Sequence, residues 1–310
     1  VALVGANGMG KTSVLDYIFK TFQSSLNKPK GLHELMDNIV YIHADKSKIS
    51  VGRGNLKENF FSKNIQTTIV DYIDERIYEE GVSSAIVYAE LRKHINSILA
   101  DFHLDIEFSG LDKKKTIYFR NIHKPTETFE LNELSGGEKS IITHILPFLL
   151  NDIQNTLILI DEPEDSLHPR WQSLLIDSYQ RIAEKGNNQF ILATHSPYIV
   201  SSVEQGCLRI FSRDEAGNVQ VSSSTERTFG KSVDQILLEV FHLDGLRTPR
   251  IEKKLKNLTN MLLDNQYESN EFKAEQQALA KILGEGDRDL ALIRLEILKR
   301  RKAKANEKNQ

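Results

Sequence analysis

The chain has 310 residues, 40% of them apolar and 27% charged, with a formal net charge of −3. That is the make-up of an ordinary soluble protein long enough for a large core or a head with insertions, and no apolar run approaches the roughly 20 residues that a bilayer crossing needs. The slight acidity argues against a surface uniformly adapted to nucleic acid, and a single cysteine, Cys207, cannot form an internal disulfide; with no secretory leader, a reducing cytoplasm is the expected setting.

In chain order, Val1-Ala2-Leu3-Val4 reads as a buried strand that runs into a glycine-rich loop, followed by a helix with its apolar face at Val14, Leu15, Ile18, Phe19 and Phe22. With no initiator methionine and a core strand at its first residue, the natural chain is expected to begin earlier. A short apolar strand follows at Asn38 to His43. From Ile65 to Leu99 the spacing predicts two helices with a break near Gly81: Ile65, Ile69, Ile73 and Ile77 form one row, and Leu91, Ile95, Ile98 and Leu99 belong to the second helix. Alternation at Leu104 to Phe108 and Thr116 to Arg120 predicts a hairpin across the solvated turn Lys113-Lys114-Lys115, and Thr128 to Leu131 adds a strand.

Beyond the pair Gly136-Gly137 comes a helix through Lys139 to Leu150, in which Pro147 predicts a bend or an early end. Strands at Thr156 to Ile160, Gln189 to Ala193 and Cys207 to Phe211 alternate with a helix near Gln172 to Glu184, and Cys207 reads as a small filler within its strand. Nearly continuous apolar strands alternating with helices predict an α/β fold with a mostly parallel sheet. From Val233 the pattern is helical, interrupted at Pro249 and Gly284-Glu285-Gly286, and Ala303 to Gln310 is expected to fray. Lys299-Arg300-Arg301-Lys302 suits the carbonyl end of a helix, with nucleic-acid binding as the alternative. The organisation read from this is a head lobe over 1–63, a helical and hairpin insertion over 64–131, a second head lobe over 132–230 and a helical region over 231–310.

Gly5-Ala6-Asn7-Gly8-Met9-Gly10-Lys11-Thr12 fits the phosphate-loop pattern G-x-x-x-x-G-K-[ST] between a strand and a helix. Glycines let successive N–H groups converge on phosphate oxygens, and the helix start adds its positive end; Asn7, Gly8, Met9, Gly10, Lys11, Thr12 and Ser13 are the expected nucleotide contacts. Lys11 would face the β- and γ-phosphates, and the Thr12 hydroxyl a magnesium ion. The strand Thr156 to Ile160 ends in Asp161 and Glu162, where ligands bind in open α/β sheets, so Asp161 is expected on magnesium and Glu162 as general base. His195 follows a third such strand and is expected to sense the γ-phosphate.

In order, GANGMGKT, LSGGEK, LILIDEPEDSLHP and ATHSP resemble the ABC-type ATPase head, a P-loop NTPase. The resemblance implies ATP and Mg²⁺ as cofactors, makes Glu164-Asp165-Ser166 a D-loop, His195 a switch histidine and Ser135, Gly136, Gly137 and Glu138 a signature. In that family the signature grips the γ-phosphate bound by a neighbouring head, so a head-to-tail dimer is implied. Only 123 residues separate Lys11 from Ser135, too few for a long coiled-coil arm. The glutamine loop of transporter ATPases has no clear counterpart: Gln66 and the strand end Tyr41 to Asp45 are the candidates. DEPEDSLHPRWQ is similar to the compact OLD- and RecF-like group, and Phe229 to Asp234 followed by Ile236-Leu237 and a helical tail resembles the ATPase subunit of Septu and retron anti-phage systems. That likeness implies slow ATP hydrolysis and control of a separate HNH-type effector nuclease; with no apolar run long enough to span a bilayer, no membrane partner is expected. A RecF-like DNA-binding repair ATPase is the alternative. The stripe Leu255, Leu258, Met261 and Leu262 would pack on a partner or on the chain's own head.

Overall fold

The computed structural model describes residues 1–25, 36–44, 49–52, 56–57, 61, 64–204, 206–223 and 228–307, the side chains of 304–307 excepted. Two compact units result, Val1–Ile236 and Leu237–Gln310.

The first unit is built on a sheet of seven strands: β1 (Ala2–Val4), β2 (Asn38–Ile42), β3 (Ile49–Gly52), β7 (Thr156–Asp161), β8 (Gln189–Thr194), β9 (Leu208–Arg213) and β10 (Val219–Ser223). Their order is β10-β9-β1-β8-β7-β2-β3. The five inner strands are parallel, and β3 and β10 run antiparallel to their neighbours at the two edges. The apolar runs are explained by burial on both faces; all six residues of β7 are buried. On one face α1 (Lys11–Ser25) places Leu15 and Phe22 against Leu3, Ile39, Tyr41, Leu157 and Leu159. On the other, Phe190 meets Phe148 of α4 (Gly136–Leu150) edge-on and stacks on Tyr179 of α5 (Pro169–Gly186) at 4.7 Å.

Because β1, β2, β7 and β8 are parallel, the segments that follow them leave the sheet along one edge. The registers Val4 with Thr194, Asp161 with Ala193 and Ile42 with Ile160 bring residues from four distant stretches to one level. This is where open α/β sheets bind ligands.

Between β3 and α4 lie α2 (Ile65–Asp74), a π-helical turn (Glu75–Glu79), α3 (Ser84–Asp101) and an antiparallel sheet of β4 (Ile106–Leu111), β5 (Ile117–Asn121) and β6 (Thr128–Glu130). The break at Gly81 has φ 71°, a left-handed conformation that suits glycine. In the lysine turn the Asp112 carboxylate accepts the amides of Lys114 and Thr116, and Lys115 reaches Asp74 at 2.6 Å.

Four expectations are corrected here. The strand β4 starts two residues later than the alternation suggests, and Leu131 enters a 3₁₀ turn, Leu131–Glu133, rather than extending β6. Pro147 does not end α4 early: it sits in the last turn, where its missing N–H forfeits one bond, and Asn151 caps back onto its carbonyl. Cys207 is exposed and precedes β9 instead of filling it.

In the second unit α8 (Pro249–Leu263), α9 (Asn270–Leu283) and α10 (Arg288–Glu307) follow α7 (Val233–Glu239), the short helix at which the two units divide. Leu255, Leu258, Met261 and Leu262 are buried with Tyr267, Phe272, Leu279, Leu290, Ile293 and Ile297. The stripe on α8 is therefore the core of this unit itself, because the apolar faces of α8, α9 and α10 close on one another. α10 runs to Glu307, into the segment expected to fray; residues 308–310 lie outside the described residues.

Candidate active site

The loop after β1 turns back on itself because Gly8 and Gly10 take φ of 74° and 84°. Gly5 is demanded by space as well: a Cβ there would lie 2.6 Å from the Phe211 carbonyl oxygen of β9. Asn7 and Gly8 are exposed, Met9 packs on the core beneath, and Thr12 and Ser13 are exposed at the start of α1. Lys11 is 6% exposed, and its ammonium donates to the Gly5 and Ala6 carbonyls at 2.7 and 3.1 Å. Burial lowers its pKa, while the carboxylates of Glu162, Asp161 and Glu164 pull it back up.

From β7, Asp161 accepts a hydrogen bond from the Thr12 hydroxyl at 2.7 Å, across 149 residues of sequence. Its carboxyl pKa is raised, first by burial and then by the neighbouring Glu162 and Asp16 carboxylates, against the opposing effects of Thr12 and Lys11. Glu162 stands at φ 52°, uncommon for a non-glycine residue, with its amide bonded to the Ala193 carbonyl of β8. Its carboxylate lies 3.5 Å from Nδ1 of His195.

His195 is fixed from below by Glu164. That carboxylate is 6% exposed and accepts the Thr194 hydroxyl at 2.7 Å and the His195 amide at 2.8 Å, with His195 Nδ1 at 3.4 Å. Behind it, the Ser196 hydroxyl donates to Gln172 of α5 at 2.6 Å and caps α6 (Pro197–Ser202) by accepting the Tyr198 and Ile199 amides. One sheet edge thus gathers Lys11, Thr12, Asp161, Glu162 and His195. The sequence offered Glu164 only as part of a motif; its anchoring of the His195 segment requires the three-dimensional pairing of β7 with β8. Arg213, whose guanidinium reaches the Gly8 carbonyl at 3.4 Å, carried no signal in the sequence and owes its place to β9 lying beside β1.

Ser135 to Glu138 stand elsewhere. Ser135 caps α4 in a reciprocal box: its hydroxyl accepts the Glu138 amide at 3.3 Å and the Glu138 carboxylate accepts the Ser135 amide at 2.7 Å. Among the described residues, no hydrogen bond or ion pair joins Ser135–Glu138 to the loop after β1. The two glycines differ. A Cβ on Gly137 would meet the Trp171 ring at 2.6 Å and the Ser166 carbonyl at 3.2 Å, whereas one on exposed Gly136 would meet nothing within 4 Å. Trp171 and Ser166 belong to the start of α5 and the turn before it, so that stretch buttresses the start of α4.

Gln66, one candidate for the glutamine loop, donates its side-chain amide to the Lys115 carbonyl of the hairpin turn. At the other, Tyr41 to Asp45, the ring of His43 lies tilted against Tyr41 with centroids 3.8 Å apart, next to the end of β7; Asp45 lies outside the described residues.

The donor set fits Mg²⁺. Thr12 and Asp161 offer two hard oxygens side by side, and Mg²⁺ characteristically takes few protein ligands and keeps waters and phosphate oxygens for the rest. Among the described residues there is no group of three or more His, Cys, Asp and Glu side chains able to cage a metal. No described helix is long and apolar enough to cross a membrane.

Residues 54–201 match the family described as "AAA domain, putative AbiEii toxin, Type IV TA system". The chain is 26% identical over 206 residues to a retron Ec83 probable ATPase of Escherichia coli, covering 62% of this chain and 36% of that protein. It is 31% identical over 158 residues to the Septu protein PtuA of Bacillus thuringiensis, covering 46% and 39%. The chain thus spans well under half the length of these curated relatives. Among solved structures, the SMC head bound to the C-terminal winged-helix domain of ScpA aligns with a TM-score of 0.45 at 14% identity, over 72% of this chain and 89% of that one.

Proposed function

We propose that this chain, an ABC-like ATPase head with an AAA-family match over residues 54–201, binds Mg²⁺-ATP at the carboxyl edge of its sheet, hydrolyses it slowly and pairs head-to-tail with a second copy through the nucleotide. The observation that carries the reading is the convergence of Lys11, the Thr12–Asp161 pair, Glu162 and His195 on one edge from three separate strands.

The roles follow from chemistry. Amides of Asn7 to Ser13 surround the phosphates, and the Lys11 ammonium exchanges its two carbonyl partners for phosphate oxygens. Thr12 and Asp161 would hold Mg²⁺, which when bound supplies charge neutralisation for the leaving phosphate. Glu162 accepts the proton of the attacking water, and His195, steadied by Glu164, contacts the γ-phosphate. Ser135, the Gly136 and Gly137 amides and Glu138 belong to the partner's nucleotide. The free space over Gly136 supports this, since nothing among the described residues requires that position to lack a side chain.

Likeness to the Septu and retron ATPases extends the proposal to a role: nucleotide-dependent head pairing controls a separate HNH-type effector nuclease in anti-phage defence. The test is sedimentation of the full chain with and without a slowly hydrolysed ATP analogue and Mg²⁺. A dimer that forms only with the analogue is expected; a nucleotide-saturated monomer at every concentration overturns the pairing. Copurification with the product of the neighbouring gene tests the effector, and a persistently solitary chain counts against it.

A further inference from the structure

We propose that the exposed face of α8 is a docking strip for the phosphate backbone of nucleic acid, a function separate from the nucleotide site and from the head interface. A groove of about 570 Å³ on the second unit is lined by Arg250, Lys253, Lys254, Lys256, Asn257 and Asn260, with Glu275 of α9 at its side. Arg250, Lys253, Asn257 and Asn260 fall at helical spacing on one exposed arc of α8, with Lys256 at its margin, opposite the buried Leu255, Leu258 and Leu262.

The charges on this face are left open. Elsewhere in the unit several cations meet carboxylates: Arg247 binds Asp287 and Asp289, Arg294 binds Glu285, Arg300 binds Glu296 and Arg301 binds Glu268; Lys281, Arg288, Lys299 and Lys302 form no ion pair among the described residues but do not line the groove. In the groove Glu275 is used by Lys254 at 2.6 Å, and Glu252, on the same helix, turns away to accept the amides of Leu246 and Arg247. Arg250, Lys253 and Lys256 make no ion pair or hydrogen bond among the described residues. Three uncompensated cations along one helix repel one another, and a polyanion relieves that repulsion.

Charge distribution favours the same partner. Residues 237–310 hold fifteen Lys and Arg against twelve Asp and Glu, whereas the remaining 236 residues hold 25 against 31, so the overall acidity hides a basic tail unit. Asn257 and Asn260 add neutral donors able to contact phosphate or sugar oxygens, and the groove offers no aromatic surface for base stacking. The strip is therefore suited to backbone contact without sequence reading.

The experiment is fluorescence anisotropy of a labelled 30-base-pair duplex titrated with the full chain from 50 to 200 mM salt. Wild type should bind with a salt dependence that becomes shallower by roughly three units of log K per log salt in Arg250→Gln/Lys253→Gln/Lys256→Gln. ATP affinity and melting temperature should not change in that variant, which separates a lost contact from a lost fold. A control, Lys281→Gln/Lys299→Gln/Lys302→Gln, removes three exposed cations outside the groove and should leave most of the affinity. No duplex binding at 50 mM salt, equal losses in the two variants, or competition by polyglutamate as effective as by unlabelled duplex would each overturn the proposal.

Discussion

Two helix starts in this molecule carry paired glycines, and they are built differently. At the start of α1 the loop is backed by β1 and β9, holds a buried lysine and faces the carboxylate of Asp161. At the start of α4, Ser135 and Gly136 are exposed, the cap is closed by the helix's own Glu138, and among the described residues no buried cation stands behind it. The first has the groups that an anion cradle needs; the second offers amides and a hydroxyl without a buried counter-charge among the described residues. Helix ends attract anions through their free N–H groups, yet strong binding needs further groups from elsewhere. This difference is what the head-to-tail proposal explains: one copy supplies the cradle and another supplies the lid.

The comparison breaks most decisively at the chemistry of the first site. Glu162→Gln should lower kcat roughly 10²- to 10⁴-fold in a steady-state phosphate-release assay while leaving ATP affinity intact, because it removes a proton acceptor and little volume. A Gln variant with wild-type turnover shows that some other group takes the proton. Lys11→Ala should weaken ATP binding by about 10- to 100-fold in calorimetry, the loss expected for charge-assisted contacts to phosphate.

At the second site the expected outcome is reversed. Ser135→Arg should leave ATP affinity within about twofold of wild type, since α4 contributes nothing to the cradle of its own chain, yet abolish analogue-dependent dimers in sedimentation. The glycine pair sharpens the distinction further. Gly137→Ala should cost about 1 to 3 kcal/mol in chemical denaturation, because its Cβ collides with the Trp171 ring, while Gly136→Ala should fall within about 0.5 kcal/mol.

The smallest effect concerns Asp161. Its folded-state pKa is raised, so the carboxyl favours folding relative to a permanently charged group only while protonated, and that advantage is lost as pH rises through the folded pKa. Asp161→Asn should therefore melt higher than wild type in the absence of nucleotide at neutral pH, with the gap closing below the ordinary carboxylate range. A gap independent of pH assigns the gain to packing instead.

Much of the head was legible because its signals are local. A phosphate loop needs glycines, a lysine and a hydroxyl in one short run, and a fully buried parallel strand needs consecutive apolar residues, so Gly5 to Thr12 and Thr156 to Asp161 announce themselves. Boundaries were less legible where two local rules compete. Pro147 is a helix breaker by propensity, but at the last turn it sacrifices a single bond, which the apolar packing of α4 outweighs. Cys207 reads as strand filler by composition, yet β9 begins only at Leu208 because register with β1 sets the start of the ladder.

By itself the sequence determined the α/β pattern, the nucleotide motifs and the helical tail, since each rests on residue types within a few positions of one another. Only the tertiary structure decided that Glu164 anchors the His195 segment, that Arg213 meets Gly8, that the α8 stripe is the core of its own unit, and that Gly137 but not Gly136 is held by packing. Those facts depend on which strands and helices lie side by side, and that choice is made by burial over the whole fold, which no short window of residues encodes.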